Sequence, residues 1–188
     1  MPGGDRALAR TARARKPGVT GQQRVRIAVL TISDTRNEET DTSGTYLAEA
    51  IERDGHILAD RTIVPDDIAG IRTVILEWSA DPQVDVIVAT GGTGLTGRDV
   101  TPEAVMPLFD KTIDGFAPLW HRISYESVGL STLQSRACAG LVGQTFVFCL
   151  PGSNGAVRDG WTKLIGPQLD RRTKPCNLVE IMPRLSEQ

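Results

Sequence analysis

Three β-branched runs, at residues 25–32 (VRIAVLTI), 56–64 and 84–89 (VDVIVA), alternate with two segments of helical periodicity. No other feature of the chain limits its fold as strongly. In the first helical segment Asp41 or Thr42 supplies an N-cap, and Gly55 the stop; Tyr46, Leu47, Ala50 and Ile51 form one apolar face. In the second, Ile68, Ile71, Val74, Ile75 and Trp78 recur at helical spacing until Asp81-Pro82 breaks the pattern. Near-continuous apolar strands separated by helices predict a three-layer α/β/α domain around a mostly parallel sheet. Such sheets bind ligands beyond the carboxyl ends of their strands. Ser33-Asp34, Pro65-Asp66-Asp67 and the glycine-rich run after residue 90 all follow strands, so this fold gathers them on one edge.

The second half is less regular. Helices are expected over 101–109 and 117–125, and another beginning within 131–139 (STLQSRACA) with Ser131 or Thr132 as cap. A strand over 144–150 precedes Pro151-Gly152-Ser153 and a helix running to about Ile165. Pro167, Pro175 and Pro183 reduce the end of the chain to short pieces. At 188 residues, 40% hydrophobic and 23% charged, the chain reads as one globular domain over 24–188.

Residues 1–23 differ in character and read as a basic, solvated tail. Of the chain's 21 basic and 23 acidic residues, five and one lie there, so the body alone carries a formal −6 against −2 for the whole. That balance argues against a nucleic-acid partner, and no apolar run reaches the eighteen or so residues that a membrane span requires. No apolar stretch follows the basic residues, as a signal peptide would need. Cys138, Cys149 and Cys176 are odd in number and irregularly spaced, which fits neither a disulfide framework nor a zinc site. A reducing cytoplasm is the simplest home.

The run Gly91-Gly92-Thr93-Gly94-Leu95-Thr96-Gly97-Arg98-Asp99-Val100-Thr101-Pro102-Glu103 carries the chemistry. It reads as a strand end, a tight turn and a helix start, with Thr101 as N-cap, Pro102 as the first helical residue and Glu103 at the positive end. Free N–H groups at such a junction attract anions. Asp99 at its mouth is out of place unless a cation is shared between carboxylate and phosphate. Gly92 to Gly97 formally satisfies a dinucleotide fingerprint, but Pro102 would then fall inside the helix at a cost of about 3 kcal/mol. A nicotinamide-dependent oxidoreductase is disfavoured on that ground. A Walker loop fails because Arg98-Asp99 stands where Lys and Ser/Thr are needed.

Capping explains one of Asp66 and Asp67, and the other needs no further role if it faces water. The shared edge nevertheless lets Asp66 converge with Asp99 on one ion, and magnesium takes one or two carboxylates plus substrate phosphates. Ser33-Asp34 either caps a turn or binds a ligand. Pro151-Gly152-Ser153 offers a second anion site ahead of a helix, and Ser135-Arg136 a hydroxyl and a guanidinium for phosphate.

The run GGTGLTGRDVTPEA, with Ser33-Asp34, Asp41-Thr42-Ser43-Gly44, Pro65-Asp66 and Pro151-Gly152-Ser153, resembles the molybdopterin-binding MoaB/Mog family of molybdenum cofactor biosynthesis. The likeness spans about residues 24 to 182, and STLQSRACAG and PQLDRRTKPCN look most like the MoaB branch. It implies an α/β domain that binds molybdopterin and, in active members, uses ATP and magnesium to transfer AMP to the pterin's terminal phosphate. Pyrophosphate leaves, and the product receives molybdate from a partner protein of the same pathway. The family's two important aspartates fall on Asp66 and Asp99. Its pterin-binding loops fall on Gly91, Gly92, Thr93 and Gly94, on Thr101, Pro102 and Glu103, and on Pro151, Gly152 and Ser153. A homotrimer or homohexamer is expected. A non-catalytic pterin carrier is the alternative.

Overall fold

The computed structural model describes residues 23–187, so the expected basic tail lies, but for its last residue, outside the described residues. The chain runs β1 (Arg26–Ile32), α1 (Thr42–Arg53), β2 (Ile57–Val64), α2 (Ile68–Ala80), β3 (Val86–Thr90), α3 (Thr101–Val105) and β4 (Lys111–Thr112). It continues through α4 (Phe116–Val128), β5 (Cys138–Val142), β6 (Thr145–Leu150) and α5 (Asn154–Gly160). Helical structure persists beyond α5 as a π-turn, Trp161–Ile165, and a short turn, Gly166–Gln168, and the chain ends in α6 (Leu178–Ile181) and a 3₁₀ turn, Met182–Arg184.

Among the described residues six strands form one sheet in the order β2-β1-β3-β6-β5-β4. The first four are parallel, and β5 and β4 join antiparallel. Strand alternation divides the core. Ile27, Val29, Val86, Val88, Phe146 and Phe148 face α1, α4 and α5, whereas Ala28, Leu30, Ile87, Ala89, Val147 and Cys149 face α2 and α3. These side chains are all at most 3% exposed, which is why the strands read as unbroken apolar runs. The result is the expected three-layer arrangement.

β1 connects outward to β2, and β2 connects back across it to β3. The strand order therefore reverses between β1 and β3, opening a crevice beyond their carboxyl ends.

The expected helix over 131–139 is a finding of difference. A 3₁₀ segment, Gly129–Gln134, ends where Ser135 turns extended (φ −97°, ψ 136°), and β5 follows. Val142 and Thr145 pair across the two-residue turn Gly143-Gln144, with Gly143 at φ +60°. Two apolar runs two residues apart are a hairpin signal, and it outweighs the local helical spacing. Among the described residues no helix is long and apolar enough to cross a membrane.

Candidate functional site

A cleft of 660 Å³ opens at the crevice. Its floor is the glycine turn after β3. Gly91 sits at φ +109° and Gly92 at φ +62°, and a Cβ on Gly91 would lie 2.1 Å from the Ile32 carbonyl oxygen. Only glycine lets the backbone pass there. Four successive carbonyls of this turn are tied to the body. Thr101 Oγ1 donates to Gly91 O (2.8 Å) and Thr101 N to Gly92 O (2.9 Å). Arg136 N donates to Thr93 O (2.9 Å) and Arg136 Nε to Gly94 O (2.7 Å). The Gly92 and Thr93 N–H groups make no hydrogen bond among the described residues, so the turn offers donors and withholds acceptors.

Two expected roles change here. Thr101 is the first helical residue rather than the N-cap, since its buried hydroxyl is spent on Gly91. Arg136 also donates to Asp99 O (2.7 Å) and pairs with Glu103, so its guanidinium braces the loop. Pro102, Glu103 and Arg136 line a separate groove of 640 Å³, and Ser135 lies between the two cavities.

The other expected residues group as follows. Ser33, Gly91, Gly92, Thr93, Gly94, Asp99, Ser135, Pro151, Gly152 and Ser153 all line the cleft. Ser153 caps α5, accepting from Ala156 N (3.2 Å). Ser33 Oγ accepts from the N–H groups of Thr35 and Arg36 (both 3.3 Å), shaping the loop after β1. Asp34 accepts from Asp66 N (3.1 Å) and pairs with Arg98, so it orders a turn while standing beside the site. Asp67 caps α2 through Gly70 N (2.7 Å), which leaves Asp66 for other work.

Asp66 and Asp99 approach the turn from different elements. Asp66 Oδ1 would be 2.8 Å from a Cβ on Gly92, and Asp99 Oδ2 2.7 Å from one on Gly94. Burial, then the Asp34 and Asp99 carboxylates, push the Asp66 carboxyl above its ordinary range, against the pull of Arg98. Asp99 moves the other way: the Thr96 hydroxyl (2.6 Å) leads, helped by the Thr96 and Gly94 N–H groups and outweighing partial burial. Arg98 and Asp66 N hold Asp34 low as well. A carboxylate facing two like charges suits a divalent cation, while the turn's free N–H groups suit the phosphate beside it. Among the described residues no group of three or more His, Cys, Asp or Glu is arranged to hold a metal. A cation at Asp66 and Asp99 would therefore complete its shell with ligand phosphate and water, as magnesium does.

The remaining walls carry residues that no motif marked. Trp120, Ser124, Ser127 and Val128 of α4, and Ser131, Thr132 and Gln134 beyond it, form one side with Asp159 of α5. Ser127 Oγ donates to Asp159 Oδ2 (2.5 Å), and Trp120 Nε1 to Ser135 Oγ (3.1 Å). Thr31, Thr90 and Arg36 complete the rim. The serine spacing on α4, three residues from Ser124 to Ser127, is a faint signal that these hydroxyls share a face.

Residues 28–171 match the family described as a probable molybdopterin binding domain. The chain is 48% identical over 152 residues to molybdenum cofactor biosynthesis protein B of Escherichia coli K12, covering 81% of this chain and 89% of that protein. The corresponding Bacillus cereus protein is 48% identical over 150 residues, with 79% and 89% covered. A crystal structure of a molybdenum cofactor biosynthesis protein B superposes with a TM-score of 0.80 at 44% identity, over 88% of this chain and 98% of that one. The tungsten cofactor synthesizing protein MoaB of Pyrococcus furiosus gives 0.72 at 34%, with 88% and 99% covered. The match to the greater part of the sequence and to nearly the full length of these relatives is decisive: the chain belongs to the molybdopterin-binding-domain family.

Proposed function

We propose that this protein binds molybdopterin in the cleft and transfers AMP from ATP to its terminal phosphate, releasing pyrophosphate. Family membership and the names of its relatives support the pathway. The observation that carries the chemistry is that Asp66 and Asp99, 33 residues apart in sequence, both reach the glycine turn, one against Gly92 and the other against Gly94.

In the reaction a pterin phosphate oxygen attacks the α-phosphorus of ATP. The new P–O bond forms as the bond from the α-phosphorus to the bridging β-oxygen breaks, and that oxygen leaves with pyrophosphate. Two anions must meet, so neutralisation and alignment carry the rate. Asp66 and Asp99 would hold magnesium, which supplies charge neutralisation to the ATP phosphates. The Gly92 and Thr93 N–H groups donate to phosphate oxygens, and Arg136 and Thr101 keep the turn from yielding as charge accumulates. The nucleophile is already ionised near neutral pH, so the reaction asks for no general base, and no histidine lines the cleft among the described residues. Incubation with molybdopterin, ATP and magnesium should yield pyrophosphate and adenylylated pterin. Pterin binding without pyrophosphate would instead make the protein a carrier.

We also read the chain as a homo-oligomer, a trimer or hexamer. Leu119, Val128, Leu130 and Leu133 lie 49–73% exposed within one short stretch, apolar side chains that a subunit interface would cover.

A further inference from the structure

The cleft contains a cationic side chain that the reading above does not use. Arg36 stands on the loop between β1 and α1, 30% exposed and lining the cleft beside the Pro151-Gly152-Ser153 turn. Its Nη1 donates to Ser43 Oγ (2.9 Å) and its Nη2 to Gly152 O (3.3 Å), both neutral acceptors. The nearest carboxylate is Asp41, with Oδ1 3.6 Å from Nη1. Asp41, however, is wholly buried and already engaged. Its Oδ2 accepts from Arg61 Nη2 (2.9 Å) and Thr31 Oγ1 (2.7 Å), and its Oδ1 accepts from Gly44 N (2.9 Å). One buried negative charge thus serves two guanidinium groups, and the surplus positive charge is on the one that reaches the cleft.

Other charges around the rim do not cancel it. Asp34 is matched by Arg98, and Asp159 by Lys163. Asp99 on the wall, with Asp66 behind it against the Gly92 turn rather than on the lining, remains as the anionic end. The cleft is therefore polarised, with a cation-seeking end at the two aspartates and an anion-seeking end at Arg36. The Gly92 and Thr93 donors lie on the floor of the same cleft. Ser43 Oγ donates to Gly152 O (2.8 Å), tying Arg36, α1 and the turn after β6 into one rigid corner.

We propose that Arg36 binds a phosphate monoester and makes the β1–β6 corner the phosphate subsite of the cleft. Resting on the adenylyl-transfer reading, it assigns the pterin's phosphate to Arg36 and the nucleotide's phosphates to the aspartate end. A guanidinium with two donors already fixed by Ser43 and Gly152 is pre-oriented, so little rotamer freedom is lost on binding.

The test uses inorganic phosphate as probe, with neither ATP nor metal present, followed by calorimetry and by amide NMR shifts. Phosphate should bind saturably to the full-length protein and shift the amides of Gly92, Thr93 and Gly152. Arg36→Gln should weaken it about tenfold, the scale of one lost charge-assisted hydrogen bond, and Arg36→Lys should restore much of the loss. In the pterin assay Arg36→Gln should raise KM for the pterin and leave KM for ATP unchanged. An absence of phosphate binding to the wild-type protein, equal binding by a folded Arg36→Gln variant, or shifts confined to other surfaces would overturn the proposal. Phosphate binding without pyrophosphate release would overturn the reaction and leave Arg36 standing.

Discussion

Asp66 and Asp99 flank one turn and are pushed in opposite directions, for reasons local to each. Asp99 rests in a nest of Thr96 and Gly94 donors and stays ionised easily; at Asp66 burial and two like charges outweigh the relief that Arg98 and the Asp34 N–H give. The more strained of the two gains most from a cation. His56 shows the same logic away from the site. It is 2% exposed, accepts from Val25 N (3.3 Å) at Nδ1, and lies edge-on to Trp161. Burial lowers its pKa, and Arg24 adds to this, against the opposing pull of Asp54 and Asp170. The fold therefore favours neutral His56. Its contribution to stability is complete above the unfolded value of about 6.5 and is lost as pH falls from there through the lower folded value. Thermal melts between neutral and mildly acidic pH should show that decline, and His56→Gln should flatten it. An unchanged slope would remove His56 as the cause.

At the scale of elements, two substitutions a short distance from Asp66 should separate stability from function. Asp67→Ala removes the α2 cap and should cost about 1 kcal/mol in denaturant unfolding with activity retained. Gly92→Ala places a methyl 2.4 Å from Thr101 Oγ1 and 2.8 Å from Asp66 Oδ1 at a positive φ. It should abolish turnover even where the fold survives, because both the loop's anchor and its carboxylate must move. The parallel half of the sheet is legible from sequence because β1, β3 and β6 are buried on both faces, and α1 and α2 each have a cap and a stop. The glycine turn is legible because φ above zero and close approach demand glycine. The β5–β6 hairpin is not, since residues 131–139 carry helical spacing up to the point where pairing with β6 takes over. Nor is the bracing role of Arg136: its partners are backbone carbonyls about 40 residues away, which leave no trace in side-chain pattern. Arg36 is hidden likewise, its surplus charge visible only once Arg61 is seen on Asp41.

At the scale of the molecule, the strand-order reversal turns loops 33, 66 and 91 residues into the chain into one site, and the exposed apolar stretch from Leu119 to Leu133 points to assembly. Sedimentation should give a trimer or hexamer, and Leu133→Glu, at a side chain 73% exposed, should shift it toward monomer without unfolding the subunit. A wild-type monomer at micromolar concentration would contradict the oligomer. The proposed AMP transfer needs Asp66 and Asp99 to act together. Its most direct test is single-turnover pyrophosphate release from ATP, with molybdopterin and magnesium, by the wild type, Asp66→Asn and Asp99→Asn. The wild type should release one pyrophosphate per pterin adenylylated, and each variant should bind pterin yet fall by at least about a hundredfold in rate, the scale of one lost electrostatic stabiliser. Release by either variant at the wild-type rate would contradict it.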